Sequence, residues 1–571
     1  MHPSVEQRLA RLSPDQLAAA TAPPGPVLCV APAGSGKTTT LVARVAWRIA
    51  TGTAPERICA LTFNRRAADE LGQRLGEALE PLSLQPGAVR VRTFHALGRE
   101  ILIDAGSSVD LIDRAELLAE LAGRRLHATE LRRLDDAFSR LKLDAGVDAA
   151  TVVARIASER AAGREPSPAL GAFVVYEEAL ASRRAIDFDD LVGHALGRLE
   201  SEATLLARWR ERCSAVMVDE SQDLDRAQLR LALLLARPAN DVFLVGDDDQ
   251  TIYAWRLADV RRILDLAARL PGLRRVDLVT NRRCPAVVVE RATRLVEHNR
   301  ERFAKRIVAR PDAPGTVILA ADPADDVTRA RRLLAAWAPA LRGPDPRSHA
   351  VLARTNAELA PFAAAALEAG LHYRAEIDGL DTIDDPMIDR LLGSPALAGG
   401  DSPPGATLGR LLAVASHEDR AGLVTIAAWA AGLPSLDAVR SRLAEARAAR
   451  QRLRVGDAAL TLATMHGTKG LEFDVVACVG LDDGRFPSAR TLAEADDPIR
   501  ALEEERRLAY VAWTRARRSL LLVFDPGGPS CFMTEAFDPA ELVAAAVSGE
   551  ATVSATGPRA ATATARSRTR R

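Results

Sequence analysis

The chain has 571 residues, enough for roughly four structural units of ordinary size. With 48% hydrophobic and 27% charged residues, a disordered scaffold, a coiled-coil rod and a small stapled domain are all excluded. Lys+Arg and Asp+Glu balance at 76 each, so bulk charge points to neither nucleic acid nor a membrane surface, and any polyanion must be held by local groups.

Only four basic residues are lysine (Lys37, Lys142, Lys305, Lys469), and asparagine occurs five times. In a chain so rich in Arg, Ala and Leu, each retained Lys or Asn marks a position worth examining. The six cysteines lie far apart, with no CxxC and no paired histidine spacing. Buried, reduced thiols are expected rather than a zinc site or a disulfide framework. The N-terminal MHPSVEQRLARLSPDQ carries charges where a signal peptide has its apolar stretch, and no run reaches the ~18 apolar residues that span a bilayer. A cytoplasmic protein with no membrane partner is expected.

In chain order, short apolar runs recur at Val27–Val30, Ile58–Leu61, Val216–Val218 and Val242–Val245, then at Thr316–Leu319, Val475–Val479 and Leu520–Phe524, each followed by a helical pattern. Continuous apolarity with helices between predicts parallel strands buried on both faces, in two α/β domains. Between Ala96 and Ile186 the strand signal gives way to leucines at helical spacing (Leu111, Leu117, Leu118, Leu121, then Leu131, Leu134, Phe138, Leu141). That stretch predicts a helical insertion. A second helical stretch runs over 381–455, broken by Pro and Gly at Gly399–Gly405. The boundaries expected are 1–95 with 187–277 for the first α/β domain, 96–186 for its insertion, 278–380 with 456–538 for the second, and 381–455 for its insertion. Beyond Pro539 a short helical pattern passes into Ala, Thr, Ser and Arg, and Ala551–Arg571 has five arginines and no acid. The stretch 539–571 is expected to be a disordered tail.

After Val27–Val30 comes Ala31-Pro32-Ala33-Gly34-Ser35-Gly36-Lys37-Thr38-Thr39, and a helical pattern follows. Glycines let backbone N–H groups face a phosphate chain, Lys37 supplies a charge to it, and the Thr38 hydroxyl can ligate Mg²⁺. The strict pattern begins with Gly where this chain has Ala31, but strand–loop–helix is the geometry that seats phosphates on a helix N-terminus. Asp219-Glu220, at the end of the buried run Val216–Val218, supply the acidic partner: Asp219 for the metal and Glu220 to polarise the attacking water.

The surrounding residues go beyond a generic nucleotidase. Asp219-Glu220-Ser221-Gln222-Asp223 and Gly246-Asp247-Asp248-Asp249-Gln250-Thr251-Ile252-Tyr253-Ala254-Trp255-Arg256 resemble motifs II and III of the UvrD/PcrA/Rep-like superfamily 1A helicases. Leu12-Ser13-Pro14-Asp15-Gln16 resembles the Q motif, Leu61–Ala68 motif Ia and Thr93-Phe94-His95-Ala96 motif Ib. Asn281-Arg282-Arg283 resembles motif IV, and Arg354-Thr355-Asn356 the element after it. Thr464–Phe473 and Glu505–Ala516 resemble motifs V and VI. The resemblance spans Leu12 to Phe532, and the motifs occur in the family's order.

The resemblance implies two RecA-like P-loop domains with parallel sheets, each carrying a helical insertion. It implies ATP and Mg²⁺ as cofactors, with Gln16 reading adenine and Ala33, Gly34, Ser35, Gly36, Lys37, Thr38 and Thr39 cradling phosphate. Asp219 would join Thr38 on the metal, and Gln250 would sense the γ-phosphate. Arg283 and Arg515 resemble two arginine fingers, and Glu472 a ribose contact. Planar guanidinium groups arriving on domain closure would stabilise charge developing on the γ-phosphoryl group. Phe63, Tyr253 and Trp255 are expected to stack on bases of a single strand, with Thr62, Asn64, Thr93, His95, Arg256, Arg354 and His466 on phosphate or sugar. The implied activity is 3′→5′ travel on single-stranded DNA, including single-strand/duplex junctions, by a monomer or weak dimer. Its protein partners are not implied.

Two departures stand out. Arg282 occupies the place of a family Tyr that stacks on adenine; a guanidinium can also stack on a base. The insertion at 381–455 is shorter than in larger family members, so unwinding is expected to differ more than translocation. A translocating ATPase that strips proteins from DNA without productive unwinding is the first rival, and a non-catalytic DNA-binding adaptor the second.

Overall fold

The computed structural model describes residues 2–310, 313–344, 346–384, 388, 426–427, 429–430 and 433–553. It divides into two units: Met1–Thr280 with Glu301–Arg306, and Asn281–Arg300 with Ile307–Arg571.

Unit 1 is built on six strands, β1 (Val27–Val30), β2 (Ile58–Thr62), β3 (Arg90–Thr93), β4 (Ala215–Val218), β5 (Val242–Gly246) and β6 (Arg274–Asp277), in the order β3–β2–β4–β5–β1–β6. Every pairing is parallel. Alternate side chains of each strand serve opposite faces. Leu28, Val30, Cys59, Leu61, Val216 and Val218 join one core with Phe94, Leu97 and Leu196, while Val27, Cys29, Ile58, Ala60, Met217 and Phe243 join another with Leu41, Val45 and Leu71. Both faces are covered by helices, which is why the central runs are continuously apolar. The edge strands β3 and β6 escaped sequence reading because they are only partly buried and carry arginines.

Helices Arg114–Ala122, Ala128–Ser139, Ala149–Ala161 and Pro168–Arg183 form the region between β3 and β4, with a core of Leu117, Leu118, Phe138, Leu141, Phe173, Tyr176 and Leu180. Leu111 and Leu121 share the helical spacing but are exposed. Residues Arg140–Ala145 wind as a π-helix carrying Lys142, whose Nζ lies 2.8–3.0 Å from Glu177, Asp187 and Asp190. A buried ammonium requires such partners.

Unit 2 has β7 (Thr316–Ala321), β8 (His349–Ala353), β9 (Tyr373–Arg374), β10 (Leu460–Thr464), β11 (Phe473–Cys478), β12 (Ala516–Phe524) and β13 (Glu550–Val553), ordered β9–β10–β8–β11–β12–β7–β13. All neighbours are parallel except β13, which pairs antiparallel with β7 from Glu550↔Ala320 to Val553↔Val317. The expected disordered tail is corrected here for residues 539–553. Helix Pro539–Ser548 starts with an Asp538/Glu541 capping box, Arg291 Nη2 bonds Glu541 at 2.7 Å, and Gly549 at φ +79° reverses the chain so that β13 covers the edge of β7. The rest of the tail, the break at Gly399–Gly405 and most of the 381–455 stretch lie outside the described residues; helix Leu436–Leu453 at its end is tied to the unit by Arg450 on Asp378 at 2.7 Å.

All six cysteines are free thiols, and all but Cys531 are buried. Among the described residues no helix is long and apolar enough to cross a membrane.

Candidate nucleotide and nucleic-acid site

The loop between β1 and helix Lys37–Ala50 turns on Gly34 and Gly36, at φ +68° and +87°, a region other residues enter only with strain. A Cβ on Gly36 would sit 2.5 Å from Gln16 Nε2. Gln16 is buried and acts as a latch: its Nε2 donates to Ser35 O at 2.8 Å and its Oε1 accepts from Ser13 N–H at 3.2 Å. Its amide thus braces the phosphate loop, where the resemblance implied a contact to adenine. Ala33 and Ser35 are buried, Thr38 is partly buried and Thr39 is exposed.

Opposite the loop, β4 ends in Asp219 and Glu220. Lys37 Nζ lies 3.6 Å from Glu220 Oε2. Burial, and secondarily the charge of Glu220, push the Asp219 carboxyl up to about 7 against the pull of Lys37. Such a group gains from a cation. Glu220 has φ +50°, rare for a residue with a Cβ and typical of backbone held for function. Gln222 Nε2 donates to Glu220 Oε2 at 2.7 Å, while Gln222 Oε1 accepts from Asp247 N–H at 3.0 Å. Gln250 Nε2 donates to Asp247 Oδ2 at 2.7 Å. The ends of β4 and β5 are thus joined by one hydrogen-bond path from Glu220 to Gln250.

Three residues beyond Gln250 the surface becomes aromatic. Phe63 and Tyr253 stack with centroids 5.4 Å apart, Tyr253 meets Trp255 edge to face at 6.0 Å, and Trp255 is 52% exposed. The Arg256 guanidinium lies over both Trp255 and Phe63, at 4.8 and 5.9 Å. His95 stacks on Phe188 at 4.0 Å, and Phe188 is 58% exposed. Sequence reading passed over Phe188. Its signal is a large aromatic within Asp187-Phe188-Asp189-Asp190, where a helix start should be polar. Burial pushes the His95 imidazole down to about 4, with Arg256 adding to the effect, so this ring is neutral at pH 7.

Other expected contacts in unit 1 are already engaged. Thr62 is buried and donates to Asn64 O at 3.2 Å. Asn64 and Thr93 cap the helices that begin at Arg65 and Phe94. They hold the ends of β2 and β3 in shape.

In unit 2, Arg283 and Arg515 are brought together around one segment. Arg283 Nε bonds Glu472 at 2.7 Å and its Nη1 donates to Thr514 O, while buried Arg515 donates to Val511 O at 2.8 Å and Leu471 O at 3.2 Å. Glu472 also pairs with Arg517 at 3.3 Å. Asn281 Oδ1 accepts from the N–H groups of Arg283 and Cys284 and fixes the turn, leaving Arg282 exposed. Arg354 pairs with Glu505 through Nε and Nη2, at 3.0 and 2.7 Å. His466 is pushed down to about 3 by burial and by the charges of Arg354 and Lys469.

Both parts of the chain match known protein families. Residues 12–271 match the UvrD/REP helicase N-terminal domain, and residues 441–525 the UvrD-like helicase C-terminal domain. The chain is 32% identical to the ATP-dependent DNA helicase UvrD2 of Mycobacterium tuberculosis over 91% of its own length and 80% of that protein's. It is 27% identical to the ATP-dependent DNA helicase PcrA of Leuconostoc citreum (91% and 82%) and 26% identical to DNA helicase II of Escherichia coli (91% and 85%). On the strength of both domain matches and the motif geometry, the chain belongs to the UvrD/PcrA/Rep-like superfamily 1A helicase family.

Proposed function

We propose that this protein is an ATP-dependent DNA helicase that moves 3′→5′ along single-stranded DNA and opens single-strand/duplex junctions in DNA repair or replication. One observation carries the reading: the hydrogen-bond path Glu220–Gln222–Asp247–Gln250 leads from Glu220, which pairs with Lys37 at 3.6 Å, to within three residues of the ring cluster Phe63–Tyr253–Trp255. Chemistry at a phosphate and grip on a base would then share one loop.

Residues 1–95 with 187–277, and 278–380 with 456–538, would be the two motor domains. ATP is the substrate, bound by the 33–39 loop, Gln16, Arg282 and Glu472. The site fits Mg²⁺ in the chemistry of its donors: Asp219 is a buried carboxyl pushed up by burial, and the buried Ser35 and Ser221 hydroxyls have no hydrogen-bond partner among the described residues. Thr38 and Asp219 would hold the ion, which supplies charge neutralisation on the phosphate oxygens when bound. Glu220 takes a proton from water as the water oxygen bonds to the γ-phosphorus and the bond to the ADP oxygen breaks. Lys37, Arg283 and Arg515 stabilise the charge that develops, and Gln250 reports the γ-phosphate to Tyr253 and Trp255. Phe63, Phe188, Tyr253 and Trp255 stack on bases without regard to sequence.

ATP turnover measured with and without single-stranded DNA and RNA, beside unwinding of 3′- and 5′-tailed duplexes, tests the proposal. Strong stimulation by DNA and opening of the 3′-tailed duplex alone are expected. Turnover indifferent to single strands would sink the reading.

A further inference from the structure

Lys305 lies in Glu301–Arg306, a stretch that belongs to unit 1 although the residues on both sides of it, Asn281–Arg300 and Ile307 onward, belong to unit 2. The chain therefore passes from unit 2 into unit 1 and back. Just before the crossing, Arg300 N–H donates to Glu503 of unit 2 at 2.7 Å. Within the stretch, the Lys305 side chain is 0% exposed, with its ammonium 2.6 Å from Asp247 Oδ1 and 2.9 Å from Asp249 Oδ2 and also bonded to Asp248. Arg302 grips Asp249 through two bonds of 3.0 and 2.8 Å, and the Phe303 N–H donates to Asp248 Oδ2 at 2.7 Å. Consecutive aspartates of the loop after β5 are thus all claimed by a six-residue strap.

Buried ion clusters are weak evidence of stabilisation, since desolvation offsets much of the attraction. Asp247 is a hub: Oδ1 meets Lys305, Oδ2 accepts from Gln250 Nε2, and its N–H donates to Gln222, which in turn holds Glu220. A Cβ on Gly246 would come within 2.4 Å of Gln222 Oε1, so Gln222 packs directly on this loop and cannot shift independently of it. Lys305 thus lies two hydrogen bonds from Gln250 and three from Glu220.

We propose that Lys305 is a positioning residue: by fixing Asp247 it orients both Gln250 and Glu220, and the strap that carries it transmits strain in the unit 2 chain to the groups acting on the γ-phosphate. The inference rests on the roles proposed above for Glu220 and Gln250. Motion of the chain before Arg300 or after Arg306 pulls on the cluster, and Asp247 converts that pull into a change in the hydrolytic site. Arg302, which holds Asp249, is a secondary anchor.

The test compares wild type, Lys305→Met and Arg302→Gln in the full chain, measuring kcat and KM for ATP with and without oligo-dT, affinity for a fluorescent ATP analogue, oligo-dT affinity and cooperative melting. In Lys305→Met, kcat with oligo-dT is expected to fall on the order of tenfold to a hundredfold, as for small misplacements of reacting groups. KM for ATP and oligo-dT affinity should stay near wild type; DNA-free turnover should fall through Glu220, and DNA-stimulated turnover should fall further through Gln250, so the ratio of stimulated to DNA-free turnover drops as well. Arg302→Gln should move the same ratio in the same direction by less. If Lys305→Met fails to melt cooperatively, Arg302→Gln decides alone, because it leaves the lysine in place. Folded variants with wild-type stimulation would overturn the inference, as would a loss of turnover and ATP affinity together in proportion to the unfolded fraction. A wild type that oligo-dT does not stimulate would instead overturn the functional reading, and this inference with it.

Discussion

In unit 1 the residues proposed to grip the strand meet ring to ring, with Phe63 on Tyr253, Tyr253 against Trp255 and His95 on Phe188. In unit 2 the cations proposed to meet a phosphate, of the strand for Arg354 and of the nucleotide for Arg283 and Arg515, are already held: Arg354 by Glu505, Arg283 by Glu472, and Arg515 by the carbonyls of Val511 and Leu471. The difference teaches how a chain of zero net charge can handle a polyanion. Stacking depends little on salt and suits any base, whereas a cation paired with a carboxylate must exchange that partner before it neutralises a phosphate. Unit 1 is then a standing platform, and unit 2 a set of charges oriented in advance, of which Arg354 and Arg283 each give up an ion pair on engagement.

The largest expected effect breaks the unit 2 side. Arg515→Ala and Arg283→Ala should each lower DNA-stimulated kcat by ~10³–10⁵-fold, the range for removal of an arginine finger, while leaving oligo-dT affinity close to wild type in a fluorescence titration. A comparable loss of strand binding would move these arginines to the strand track. Glu220→Gln, on the unit 1 side, should cost ~10²–10⁴ in kcat as a lost general base. Phosphate-release kinetics should report that loss without weaker binding of an ATP analogue.

Grip itself divides the units further. Trp255→Ala and Phe188→Ala should each weaken oligo-dT binding by about 1–3 kcal/mol per lost stack, with the salt dependence unchanged. Arg354→Gln should do the reverse, with a loss of affinity that is largest at low salt and fades as salt rises, and a log–log salt slope reduced by about 0.7, one single-strand phosphate contact. Titrations at several salt concentrations separate the two behaviours. An unchanged slope in Arg354→Gln would leave Arg354 as a partner of Glu505 only.

The same contrast explains what the sequence made legible. Runs such as Val27–Val30 and Val242–Val245 announce themselves because both faces of a central strand are covered. His349–Ala353 and Leu460–Thr464 are also central to their sheet, but their alanines blunt the β-branched signal and they were missed. β13 was hidden by composition: Glu550–Val553 buries little beyond Val553 and owes its place to backbone bonds with β7. Motif residues of the phosphate loop and Asp219-Glu220 were readable because local spacing carries their chemistry. Lys142 and Lys305 were visible only as rarities, since their carboxylate partners are assembled by tertiary structure from sequence separations of 35 to 58 residues. Phe188 belongs with them, because its neighbour His95 comes from the distant helix Phe94–Asp104.

The smallest effect concerns protons, and it compares the two histidines directly. Each is held neutral by burial, His95 down to about 4 and His466 down to about 3, against ~6.5 for an exposed imidazole. Between those values the unfolded chain binds more protons than the folded one, so each histidine contributes stability that is present above about pH 6.5 and is lost as pH falls towards its folded value. Buried Asp225 and Asp248, pushed up to about 7 and about 6, run the opposite way, because their folded forms bind protons first. Net acid behaviour therefore mixes signs, and the histidine part is read by difference. His466→Gln should flatten the loss of stability from pH 6.5 to 4 in denaturant titrations more than His95→Gln does, because Arg354 and Lys469 beside His466 widen its window. Neither ring carries a charge at pH 7, so oligo-dT affinity at fixed ionic strength should not rise between pH 8 and pH 6. A rise abolished by His95→Gln would make that ring a phosphate-binding cation, and the ring-to-ring platform of unit 1 would then share the charge-based grip assigned to unit 2.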